Sequence, residues 1–275
     1  MVAQESARVE QSAAQLDHRR AVERVIAVMT ERLDERLSLE ELASVAFFSP
    51  YHFHRVFRQV TGVPPGRFFT ALRMEVAKRL LLTSELSVTE ICYTVGYLSL
   101  GTFTSQFTRL VGISPRRLRA CARSNGWSCL ATLEEPPVEP GALPAVVGRI
   151  ECRDGEPGSL AAIGLFPGRL AEGRPAGCAL VGAPGDYEIR SGRGGAFHVL
   201  AASLAPGGQW NDLMLDAEHT RIAATPTPIV VRPGRPVRID LVLRPRRIVD
   251  PPVLLAPALL LQPAAERVTR ELVPA

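Results

Sequence analysis

The strongest constraint on this chain is that its first half repeats itself at about 50 residues, so that one supersecondary unit must be built twice. Ser38-Leu-Glu-Glu41 aligns with Ser87-Val-Thr-Glu90, Phe53 with Phe103, Phe57 with Phe107, Gly62 with Gly112 and Pro65 with Pro115. The register slips by one residue in the turn before Phe53 and Phe103. Ser38 with Glu41, and Ser87 with Glu90, have the spacing of a capping box, in which hydroxyl and carboxylate each satisfy an orphan N–H at a helix start. In the first copy Leu42, Ala43 and Ala46 form the apolar face of a short helix. Ser49-Pro50 then supplies an N-cap and a proline at the first helical position. Phe53, Val56, Phe57 and Val60 make the buried stripe of the second helix, and Gly62 sits where a left-handed residue ends it. The second copy uses Ile91 and Val95, a turn at Gly96-Tyr97, Ser99 as cap, Phe103, Phe107 and Leu110 as stripe, and Gly112 as stop. Helix, tight turn, helix is predicted twice.

Flanking patterns hold the pair. Val22, Val25, Ile26, Met29 and Leu33 fall at helical spacing, as a packing helix requires. Phe69, Leu72, Val76 and Leu80 mark a long helix from near Pro65 that sets the distance between the two units, and Ser114-Pro115 begins a final short helix through Leu118.

After Trp127 the pattern changes: proline and glycine now punctuate short apolar runs. The acidic, proline-rich stretch from Glu134 to Gly141 cannot bury a face and reads as a linker. Beyond Ala145, candidate strands are Val146–Ile150, Leu160–Leu165, Tyr187–Ile189, Ala196–Leu204, Ile229–Arg232, Val237–Leu243 and Val253–Leu261. In Val237–Leu243 the odd-numbered residues are apolar, as in a half-buried antiparallel strand. The predicted fold class is multi-domain, α then β: an all-α double helix-turn-helix domain followed by an antiparallel β-sandwich. The expected division is a flexible N-terminus over 1–16, a helical domain over 17–125, a linker over 126–144 and a β-sandwich over 145–275.

A helix-turn-helix reads DNA by laying its second helix in the major groove, while helix N-termini and basic side chains hold phosphates. With Phe53, Val56 and Phe57 turned inward, Tyr51, His54, Arg55 and Arg58 remain outside. Arg55 is the best candidate for guanine, because its planar fork matches O6 and N7. The corresponding outer positions of the second unit, Leu100, Gly101, Thr102, Ser105, Thr108 and Arg109, are short and mostly neutral. Ser49, Arg58, Arg73, Lys78, Ser99, Thr108 and Arg109 are the candidate phosphate contacts; Arg79 is a further basic residue on the connecting helix.

Asp17 to Arg119 resembles the DNA-binding domain of the AraC/XylS family of transcription regulators, most specifically over Ser49–Arg58, Arg73–Leu82, Ile91–Gly96 and Phe103–Pro115. The resemblance implies seven helices, two recognition helices in successive major grooves, and base contacts from Tyr51, His54, Arg55, Leu100, Gly101, Thr102 and Ser105. Leu100 and Gly101 depart from the long polar side chains usual there, which points the second unit toward phosphate contact and shape readout. The C-terminal strand and turn pattern faintly resembles carboxypeptidase regulatory-like, or transthyretin-like, sandwiches.

The formal charge of +4 lowers the cost of approaching nucleic acid. Lys78 is the only lysine, so arginine carries nearly all positive charge. The five cysteines, Cys92, Cys121, Cys129, Cys152 and Cys178, form no CxxC pair, which speaks against a disulfide framework or a zinc site. His198 and His219 have no catalytic partners in sequence, and Phe166 and Trp210 either line a ligand cavity or fill the core. No signal peptide or membrane span is visible, and a cytoplasmic protein is expected. No cofactor, metal or enzymatic activity is expected. The expected partners are double-stranded DNA and RNA polymerase, activation being favoured over repression, with a small-molecule effector and homodimerisation left open. The alternatives are a DNA-modifying or repair adaptor, which needs a reactive cysteine beside a base, and a purely structural C-terminal domain.

Overall fold

The computed structural model describes residues 2–123, 145–152, 159–204, 220–232 and 234–254. Seven helices come first: α1 (Val2–Glu31), α2 (Leu39–Val45), α3 (Pro50–Thr61), α4 (Pro65–Thr83), α5 (Val88–Thr94), α6 (Leu100–Val111) and α7 (Pro115–Arg123). The first helix runs through the stretch expected to be a flexible N-terminus. Its apolar stripe, Val22, Val25, Ile26 and Met29, is fully buried. The centre of the helical half is aromatic: Phe53, Phe57, Phe68, Phe103 and Phe107 have no solvent exposure. Phe57 meets both Phe53 and Phe68 edge-on at 5.5 and 5.3 Å. Each fully buried phenylalanine contributes about 2–3 kcal/mol, so this cluster fixes the angle between the helices of each unit more firmly than the short turns could. Arg119 on α7 donates to the carbonyls of Leu81 and Leu86, tying the last helix to the end of α4.

The C-terminal half contains β1 (Val146–Cys152), β2 (Ser159–Phe166), β3 (Cys178–Ala183), β4 (Gly185–Ile189), β5 (Gly195–Leu204), β6 (Arg221–Ala224), β7 (Ile229–Val231), β8 (Val237–Arg238) and β9 (Leu241–Pro245). The predicted sandwich is corrected here. The strands form a single sheet in the order β3-β2-β5-β6-β9-β1-β4, with β7 added to β5 and β8 to β1. Its two end strands, β3 and β4, are joined through Pro184 alone, so the sheet must curl until its ends meet, and it is nearly closed like a barrel. The inside is filled by Val146, Ile150, Ile163, Leu165, Ile189, Val199, Leu241 and Leu243. Alternation along a strand reports one buried face, which barrels and sandwiches share; it cannot distinguish them.

Two strand expectations change in detail. Val237–Leu243 keeps its alternation, but its ladder is split into β8 and β9, both parallel to β1. Between them the Asp240 carboxylate accepts the Arg149 N–H at 2.9 Å, substituting for a backbone carbonyl. Only the β6 side of β9 is antiparallel. Val253 and Leu254 are not strand, and Leu254 is fully buried in the helical core; 255–261 lie outside the described residues, as does the 126–144 linker.

The two halves pack on each other. Leu170, Val249 and Leu254 belong to the hydrophobic core of the helices. Arg67 of α4 pairs with Glu172 in the loop after β2, and Gly173 N–H donates to the Leu110 carbonyl of α6 at 2.6 Å. Arg246 forms a two-pronged pair with Glu75 of α4 at 2.8 and 3.2 Å. The sheet is therefore anchored to the connecting helix and to the end of the second unit.

Candidate nucleic-acid interface

Each unit starts as its sequence predicts. The Ser38 hydroxyl accepts Glu41 N–H at 3.1 Å while the Glu41 carboxylate accepts Ser38 N–H at 2.8 Å. Ser87 and Glu90 repeat this at 3.1 and 2.7 Å. These bonds hold both glutamate carboxyls below their ordinary range. Ser49 and Ser99 cap α3 and α6 through His52 N–H and Thr102 N–H, both at 3.4 Å. Gly62 and Gly112 close the helices with φ of 78° and 90°.

The outer faces are open. Tyr51 is 84% exposed, and His54, Arg55 and Arg58 are exposed beside it. On α6, Leu100, Gly101, Thr102, Ser105, Thr108 and Arg109 are exposed. Every candidate base contact thus stands on the solvent face of a capped helix, free of the sheet. Thr108 donates to the Thr104 carbonyl and Arg109 to the Gln106 side chain, both at 2.7 Å. The exposed caps Ser49 and Ser99 and the exposed Arg58 remain placed to meet phosphate.

Two candidate phosphate contacts are corrected. Lys78 is 2% exposed, and its Nζ donates to the Val253 carbonyl at 2.7 Å. Arg73 is partly buried; it donates to the carbonyls of Leu33 (2.8 Å) and Glu35 (2.6 Å), with its guanidinium over the Phe69 ring. Both cations hold the scaffold together. Arg79, on the same helix, is exposed.

One residue absent from the sequence candidates organises the first unit. His52 lies 3.2 Å from Arg55 through Nδ1. Because a guanidinium only donates, Nδ1 must be the acceptor and the ring proton sits on Nε2. The His52 ring packs edge-on against Phe48 at 4.7 Å and His18 of α1 at 5.7 Å. Arg55 is therefore aimed by a histidine wedged between α1 and the turn. The i, i+3 spacing of His52 and Arg55 was the available signal.

Elsewhere, His198 is buried on β5 with Nδ1 3.2 Å from the Thr225 carbonyl, while His219 and Trp210 lie outside the described residues. Phe166 is buried and lines a cleft between the halves. Cys92, Cys152 and Cys178 are in no disulfide; the side chains of Cys121 and Cys129 are not among those described. Among the described residues no group of His, Cys, Asp and Glu could hold a metal ion, and no helix is long and apolar enough to cross a membrane.

Residues 42–120 match the family described as "Helix-turn-helix domain". The chain is 29% identical over 102 residues to the bifunctional transcriptional activator/DNA repair enzyme AdaA of Bacillus subtilis (strain 168), covering 36% of this chain and 48% of that protein. It is 34% identical over 110 residues to the HTH-type transcriptional activator RhaS of Escherichia fergusonii, covering 40% of this chain and 37% of that protein. The chain thus spans less than half the length of either relative. Among solved structures, the DNA-binding domain of AdpA, a global transcriptional factor crystallised with a target DNA, is 36% identical, with 38% of this chain and 94% of that chain covered and a TM-score of 0.37. Two capped helix-turn-helix units on one connecting helix, together with this match, make residues 42–120 an AraC-type helix-turn-helix domain.

Proposed function

We propose that the protein is a transcription regulator that reads duplex DNA through α3 and α6, in successive major grooves. The observation that carries this reading is the equivalence of the two units: same caps, same glycine stops, same buried aromatic stripe, and an exposed outer face on each recognition helix. Tyr51, His54 and Arg55 supply direct readout in the first groove. Leu100, Gly101, Thr102 and Ser105 offer contact with thymine methyls and close backbone approach in the second. Ser49, Ser99, Arg58, Thr108 and Arg109 hold phosphates and give the affinity its salt dependence. The strand-rich half senses a ligand, self-associates or contacts another protein. The two named relatives are activators, which favours activation, with RNA polymerase as partner, and a site of action in the cytoplasm.

The test is DNA binding by the full chain after selection of a preferred duplex. Arg55→Ala should cost about 1–3 kcal/mol on that duplex and relax discrimination at one base pair. Equal losses on selected and random duplexes would make Arg55 a phosphate contact instead.

A further inference from the structure

Where α3 ends against the outside of the sheet, a cleft of about 90 Å³ separates the two halves. Val60 and Thr61, in the last turn of α3, form one wall. The floor is the outward side of β2 and β5, where every second residue faces away from the barrel interior. There Ala162 pairs with Ala202, and Gly164 follows two residues along β2. These small residues leave the space. A side chain at Gly164 would collide with the Phe166 ring, which folds back over it and closes one end of the cleft.

Two arginines line this apolar floor, and they are not equivalent. Arg244 is neutralised by a two-pronged pair with Asp250, at 2.7 Å for both bonds, and Asp250 also accepts the Arg247 N–H at 2.7 Å. Arg169 crosses directly over Gly62 at the C-terminus of α3. It makes no hydrogen bond or ion pair among the described residues, although it is partly buried. The negative end of the helix favours a cation there, yet leaves the fork of guanidinium donors unused. The interior of the barrel is filled with side chains, so the junction rather than the barrel offers room.

We propose that this cleft binds a small organic anion, whose apolar body lies on Ala162, Ala202 and Phe166 and whose charged group is held by Arg169. The consequence of binding rests on the regulatory reading above. The loop that carries Arg169 also carries Leu170, Glu172 and Gly173, which seat on the helical core, on Arg67 and on Leu110 at the end of α6. An anion beside Arg169 therefore sits at the C-terminal end of α3, on the loop that also reaches the end of α6 through Gly173. If it binds one seating of that loop better than another, it shifts DNA affinity by the same factor as DNA shifts its own.

The test uses the full chain in calorimetric titration and thermal unfolding with hexanoate, phenylacetate and hexane-1-sulfonate, against neutral hexanamide and phenylacetamide. At least one anion should bind and raise Tm, with a preference over its neutral counterpart on the order of tenfold, equivalent to about 1.4 kcal/mol. Arg169→Gln should erase that preference without changing the fold. Ala224→Trp, an exposed position at the mouth of the cleft, should block binding. No binding by any anion, or an undiminished preference in Arg169→Gln, would overturn the assignment. DNA binding measured on the same samples separates the two readings. A chain that binds DNA but no anion removes the cleft alone; anion binding that leaves DNA affinity unchanged removes its regulatory role. Anion binding by a chain that binds no duplex removes the DNA reading and leaves the cleft standing.

Discussion

Phe47 and Gly96 occupy the same point in the two helix-turn-helix turns, and both have a left-handed backbone, with φ of 57° and 78°. The hydrogen bonds around them match. Phe47 N–H donates to Ser44 and Phe48 N–H to Ala43; Gly96 N–H donates to Tyr93 and Tyr97 N–H to Cys92. The second turn then carries one extra residue, Leu98, before its serine cap, which is the one-residue slip seen in the repeat.

Glycine adopts this conformation without strain, whereas phenylalanine costs about 1–2 kcal/mol there. The Phe47 ring is 86% exposed and recovers little of that by burial. Phe47→Gly should raise the free energy of unfolding by up to about 1 kcal/mol in urea denaturation. Gly96→Ala should lower it by about 2 kcal/mol or more, since a methyl would also strike the Asp34 carbonyl. A destabilised Phe47→Gly protein would show that the ring has a packing role despite its exposure.

Lys78 should make stability rise in alkaline solution. Burial lowers its pKa from 10.5 to about 8, with Glu75 opposing the shift and Arg246 reinforcing it. Between these two values the unfolded chain holds a proton that the folded chain has released, so stability increases with pH across that window; below it, the full penalty of the buried charge remains. The size is about 3 kcal/mol at 1.36 kcal/mol per pKa unit. Lys78→Met should abolish this increment and be close to neutral near pH 7, where a lost hydrogen bond to Val253 offsets relief from burying a charge. Denaturation at about pH 7 and pH 10 checks this. Parallel profiles for the two proteins would remove Lys78 as the source.

Gly148 allows β1 to lie beside the 237–243 segment. A methyl there would land on the Ile239 carbonyl oxygen, which already accepts the Tyr187 hydroxyl at 2.6 Å. Gly148→Ala should cost about 3 kcal/mol and show first in the near-UV signal of the sheet, because neither backbone can yield without breaking the ladder. An unchanged Tm would mean that the β1 pairing is looser than drawn.

Gly101, in the first turn of α6, is the opposite case. An added methyl there meets only the Ser99 hydroxyl, at 3.8 Å. Gly101→Ala should therefore stabilise by about 0.5–1 kcal/mol through helix propensity. Competition binding on the selected duplex then reports whether DNA approaches closely at this point: a stabilised protein with weakened binding places the backbone against the duplex.

The helical half was legible because its signals are local. Serine caps, Gly62 and Gly112, and the phenylalanine stripe act within a few residues of where they stand. The sheet was less so. Its strand positions follow from alternation, but the partner of each strand is distant in sequence, and β3 and β6 carry too few apolar residues in alternation to stand out. Lys78 and Arg73 looked like phosphate contacts because a cation on a helix usually lies on its exposed face. What buried Lys78 was Val253, 175 residues further along the chain, and no local pattern reports such a meeting.

The sharing of Leu170, Val249 and Leu254 with the helical core has a practical consequence. The helical half is not a portable cassette. Cut after Arg123 and grafted elsewhere, it would bare oily patches on α4 and leave the Lys78 ammonium stranded among them, so such a graft would need those faces resurfaced before it stayed in solution.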